Sequence, residues 1–82
     1  MENKYKLIIS QVSPLDIKEE DVKDTLQLKD DLSMDSMAFV NMVVAIENVY
    51  GFDFDDEYIS YEKLKTVKDV GDYIQFKLEN KG

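Results

Sequence analysis

Residues 36 to 50, SMAFVNMVVAIENVY, leave this chain the fewest folds to choose from. Apolar side chains recur there at helical spacing, with Asp35 just before and Gly51 just after. An aspartate at a helix start accepts one of the free backbone N–H groups of the first turn. A glycine past the end takes the left-handed conformation that closes a helix. The spacing therefore predicts a helix over 36–50. On a helical wheel Phe39, Met42, Val43, Ile46 and Tyr50 share one face, enough for a core. Met37, Val40 and Val44 fall on another side, adjoining Asn41 and Asn48, with Glu47 near its edge. A domain of 82 residues has little core with which to bury both sides. Either these three pack beneath a loop, or they form an exposed apolar strip for docking.

The remaining segments also read as helical. Tyr5, Ile8, Ile9 and Val12 give an amphipathic first helix that Pro14 ends. Residues 14–35 lack a sustained period, a long connection for a compact domain. Leu15, Ile17, Val22, Leu26, Leu28 and Leu32 are each expected to pin it onto the bundle. A short acidic helical turn is expected within DDEYISY. Thr66 and Asp69 resemble a capping box opening a last helix whose apolar stripe is Val67, Val70, Ile74 and Leu78. Gly71 weakens that helix by about 1 kcal/mol relative to alanine, which suggests close packing there. VYGFDF alternates like a strand, but nothing else in the chain would pair with it. The expectation is one all-α domain over residues 1–82.

Composition removes several kinds of chemistry. Cysteine and histidine are both absent, which excludes disulfides, thiolate nucleophiles, sulfur or imidazole zinc ligands and the usual hydrolase base. FDFDDE fails as a calcium loop: from Asp53, the sixth position is Tyr58 rather than glycine and the twelfth Leu64 rather than glutamate. Only loose divalent binding near Asp53, Asp55, Asp56 and Glu57 is expected, relieving self-repulsion. A net charge of −8 repels nucleic acid and anionic lipid, attracts basic protein surfaces, and keeps a small domain in solution. With no apolar stretch long enough for a membrane span and no signal-peptide pattern, the expected address is cytoplasmic.

Ser36 stands out against this background. Most serines at a helix start are caps, but Asp35 already fills that role. The hydroxyl is left in the first turn, without a base to make it a nucleophile, at a helix end that favours an anion. That place suits a phosphate ester better than catalysis.

These residues resemble the acyl and peptidyl carrier protein family. DDLSMDSM leading into a long apolar helix, the turn YGFDFDDE and the last helix opening TVKDVGDYI carry the resemblance, in the family's order. It implies a four-helix bundle with three main helices, one short third helix and a long first loop. It also implies that Ser36 receives 4′-phosphopantetheine from coenzyme A, through a separate magnesium-dependent phosphopantetheinyl transferase. The thiol so gained would present an acyl, polyketide or aminoacyl thioester to loading and processing enzymes. Asp35 would act as the helix cap and as a group near the transferase's metal. The chain would then be a monomeric carrier and no enzyme.

Two departures shape the expected partners. Met37 stands where leucine is commonest in the family. Fatty-acid carriers usually line the partner-facing side of this helix with acids, where this chain has Ala38, Asn41, Asn48 and Val49 and keeps Glu47. Docking through Met37, Val40 and Val44, with Asn41, Glu47 and Asn48 beside them, is expected, with weight moving from fatty-acid synthesis toward polyketide or nonribosomal peptide assembly. The competing reading is an unmodified helical adaptor that works through protein binding alone.

Overall fold

Flanking residues set the ends of the second and third helices. The computed structural model describes residues 4–80. It contains helices α1 (Lys4–Val12), α2 (Ser36–Tyr50) and α3 (Val67–Glu79), with one-turn 3₁₀ helices at Glu19–Asp21 and Asp56–Tyr58. The architecture is all-α, and the expected short third helix is the 3₁₀ turn Asp56–Tyr58. Asp35 Oδ1 accepts the Ala38 N–H at 2.8 Å, opening α2. Gly51 closes it in the left-handed region, φ 76°, and donates to the Glu47 carbonyl at 2.9 Å. α3 opens on a complete capping box. Thr66 Oγ1 accepts from Asp69 N–H at 3.2 Å, and Asp69 Oδ2 accepts from Thr66 N–H at 3.0 Å. Aspartate serves where glutamate is usual.

α1 packs against α2, α3 and the first 3₁₀ turn. Ile8 and Ile9 of α1 meet Phe39, Met42, Val43 and Ile46 of α2 and Val67, Val70, Tyr73 and Ile74 of α3 in one core. At Gly71 an added Cβ would lie 2.6 Å from the Tyr5 hydroxyl, so the α1–α3 contact is as close as the glycine suggested.

The connection over residues 13–35 is held by the core and by backbone bonds. Val22, Leu28 and Leu32 are buried, and Ile17 and Leu26 pack partly against the core. Leu15 does not act as a pin. It is 43% exposed, in the bend with Ser13 and Pro14 by which the chain leaves α1. Gln27 and Thr66 form an isolated antiparallel bridge, with Leu28 N–H donating to the Lys65 carbonyl at 2.9 Å. Two further loop carbonyls, Leu26 and Asp24, accept the first N–H groups of α3, from Val67 and Lys68, each at 3.0 Å. Among the described residues there is no strand, and VYGFDF spans the end of α2 and an irregular segment.

Candidate functional site at the start of the second helix

The first turn of an α-helix leaves N–H groups without intrahelical partners. In α2 the Ala38 N–H goes to Asp35 Oδ1 and the Phe39 N–H to the Asp35 carbonyl. Those of Ser36 and Met37 bond to nothing among the described residues. Ser36 is exposed, and no described group bonds to its hydroxyl. An exposed alcohol beside two open N–H groups at the positive end of a 15-residue helix fits a phosphodiester. The neighbouring Met37 is 72% exposed and offers an apolar surface to whatever extends from that phosphate.

The turn that delivers Ser36 is tied from three sides. Ser33 lies in the left-handed region at φ 52°. The buried Ser13 donates its hydroxyl to the Leu32 carbonyl at 2.8 Å, and the Met34 N–H donates to the Leu28 carbonyl at 3.0 Å. Tyr61 donates its hydroxyl to the Met34 carbonyl at 2.5 Å and sets its ring against Phe39, centroids 4.8 Å apart. Burial, and then the negative charge of Asp35, push the Tyr61 phenol above its ordinary range, so it remains a donor at neutral pH. Sequence reasoning passed over Ser13, Ser33 and Tyr61. Ser13 lies beside Pro14, which alone marks the end of the first helix, and Tyr61 reads only as part of an acidic turn.

Along α2, Val40 and Val44 are 50% and 48% exposed and the loop does not cover them; Asn41, Asn48 and Val49 are exposed too. Two positions differ from expectation. Ala38 is buried, because it lies one helical turn before Met42 on the flank of the core face. Glu47 is half-buried, its Oε2 accepting the Phe54 N–H at 2.8 Å after the chain reverses at Gly51. Its charge is spent on the chain's own backbone. The carboxylates of Asp53, Asp55, Asp56 and Glu57 do not converge either. Asp55 turns to α3, accepting from the Tyr73 hydroxyl at 3.0 Å and pairing with Lys77 at 3.5 Å. Among the described residues no three acidic side chains are grouped to hold a metal ion.

Comparison with known proteins gives the family of the chain. The family model for the phosphopantetheine attachment site matches residues 8–74. The chain belongs to that family. Its curated relatives include the acyl carrier protein of Buchnera aphidicola, 40% identical over 77 residues that cover 94% of this chain and 92% of the relative. Another is the acyl carrier protein of Coprothermobacter proteolyticus, 38% identical over 65 residues, 79% of this chain and 77% of the relative. The solution structure of a holo acyl carrier protein from Nitrosomonas europaea superposes with a TM-score of 0.79 at 26% identity, covering 94% of each chain. This carrier's cofactor is 4′-phosphopantetheine. Among its described residues no helix is long and apolar enough to cross a membrane.

Proposed function

We propose that Ser36 is the attachment residue and that this carrier moves acyl, polyketide or aminoacyl intermediates between separate enzymes. The observation that carries this reading is the exposed Ser36 hydroxyl, to which no described group bonds, beside a cap already supplied by Asp35. Ser36 Oγ forms the new bond to phosphorus as the pyrophosphate link of coenzyme A breaks and the adenosine bisphosphate half leaves. The hydroxyl proton passes to a base of the transferase, since this chain has no histidine and Asp35 Oδ1 is held by the Ala38 N–H. Asp35 Oδ2 takes no bond among the described residues and is the oxygen available to the transferase's magnesium. When bound, the cofactor supplies the thiol on which cargo is carried as a thioester.

The same reading assigns docking to Met37, Val40, Asn41, Val44 and Asn48, and withdraws Glu47, which its bond to Phe54 occupies. A partner-facing side that is apolar and amide-bearing rather than acidic favours a specialised biosynthetic pathway over primary fatty-acid synthesis. Residues 1–82 act as one monomeric, cytoplasmic carrier domain that catalyses nothing itself and uses neither nucleic acid nor membrane as partner.

Intact mass after incubation with coenzyme A and a broad-specificity phosphopantetheinyl transferase tests this. One added phosphopantetheine, absent in Ser36→Ala, is the expected result. No addition to the wild-type chain would leave the adaptor reading in its place. Val40→Asp or Val44→Asp should raise the KM of a partner enzyme for the loaded carrier about tenfold while the helical circular dichroism is unchanged. Unaltered turnover of both variants contradicts the docking face.

A further inference from the structure

Ser36 stands at the end of a turn that its own residues do not favour. Ser33, at φ 52°, is the only described non-glycine residue with positive φ. That conformation costs an L-residue roughly 1–2 kcal/mol. The carbonyls on either side of it are each taken by a hydroxyl from a distant part of the chain, Leu32 by Ser13 and Met34 by Tyr61. The two bonds act on different things. Ser13 holds the far side of the turn, inside the core boundary. Tyr61 holds the peptide unit that joins Met34 to Asp35, the residue that caps α2. Rotation of that peptide would carry the Asp35 carboxylate off the Ala38 N–H and reorient Ser36 with it. The Tyr61 ring also rests on Phe39 in the first turn of α2, so one side chain braces the chain on both sides of Ser36.

We propose that Tyr61 is a positioning residue for the loading of Ser36, a role that rests on the carrier reading above. Transfer at phosphorus demands that the attacking oxygen be aligned with the leaving group, and small misplacements are expensive in rate. Tyr61 acts through Asp35 and the helix start, and touches neither the cofactor nor the reacting atoms. Its influence therefore falls on alignment once the carrier is bound, whereas Val40 and Val44 govern binding.

Tyr61→Phe separates the two, since it keeps the ring against Phe39 and removes only the donor. With transferase and saturating coenzyme A, its kcat should fall about tenfold, the measure of one neutral hydrogen bond, with KM for the carrier within about twofold of wild type. Amide hydrogen exchange at Ala38 should quicken. Tyr58→Phe is the control, because the Tyr58 hydroxyl makes no hydrogen bond among the described residues while its ring stacks on Tyr73. It should load as wild type does. Wild-type kcat in Tyr61→Phe, or an equal loss in Tyr58→Phe, overturns the positioning role and leaves the carrier reading standing. A wild-type chain that takes no phosphopantetheine at all sinks that reading, and this role with it.

Discussion

α2 and α3 start in the same way and are finished differently. At α3 every N–H of the first turn is taken. Val67 and Lys68 donate to the loop carbonyls of Leu26 and Asp24, Asp69 to the Thr66 side chain, and Val70 to the Thr66 carbonyl. At α2 only Ala38 and Phe39 are provided for among the described residues, which leave the N–H groups of Ser36 and Met37 open. At α3, where the first connection packs over the helix start, the chain itself saturates that end. The end that is left open is the one beside the candidate attachment serine. The long first connection works at both places, closing α3 with its carbonyls and leading into Ser36 through the braced turn at Ser33.

That contrast can be broken by changing the caps. Asp69→Ala removes an oxygen that accepts both Lys65 and Thr66 N–H groups, and should lower the unfolding free energy by about 2 kcal/mol. Asp35→Ala removes one such bond and should lower it by about 1 kcal/mol. Urea unfolding of the two variants gives the order; equal losses, or the reverse, would mean that the two helix starts are not differently supported.

Alkaline titration probes chiefly the α3 side. Tyr73, buried and donating to Asp55, is pushed up to about 12. A phenol whose folded value lies above its unfolded value of about 10 favours the folded state while it is protonated. That stability is fully present below pH 10 and is lost as the pH rises toward the folded value. The urea midpoint should hold steady through neutral pH, decline above about pH 10, and decline less in Tyr73→Phe. Tyr5 and Tyr61, also raised mainly by burial, add to the decline that remains. An identical decline in the variant would remove Tyr73 as its source.

The smallest effect belongs to the turn before α2. Ser33→Gly relieves the left-handed conformation but frees the unfolded chain, so a net gain of about 0.5 kcal/mol is expected. A loss of stability would mean that the serine side chain contributes more there than its backbone costs.

Residues that act on their near neighbours were the legible ones. Asp35, Gly51 and the Thr66–Asp69 pair fixed the helix ends because a cap works over three or four positions of one chain. The same local pattern set Ser36 apart from its cap and placed it at the helix start. What could not be read depends on which distant groups meet. The bonds from Val67 and Lys68 use the carbonyls of Leu26 and Asp24, and a backbone carbonyl leaves no mark in side-chain identity. The left-handed Ser33 and the Tyr61 brace need three separated segments in register. Ala38 and Glu47 sit at wheel angles near the edge of the buried face, where the neighbouring elements decide exposure.

The amide spectrum of the chain before and after loading is the most direct trial. If the open start of α2 receives the cofactor, the backbone signals of Ser36 and Met37 should move furthest, and those of Val67 to Val70 should stay in place. Modification of another hydroxyl with those two signals unmoved, or a disturbance centred on α3, would contradict the whole account.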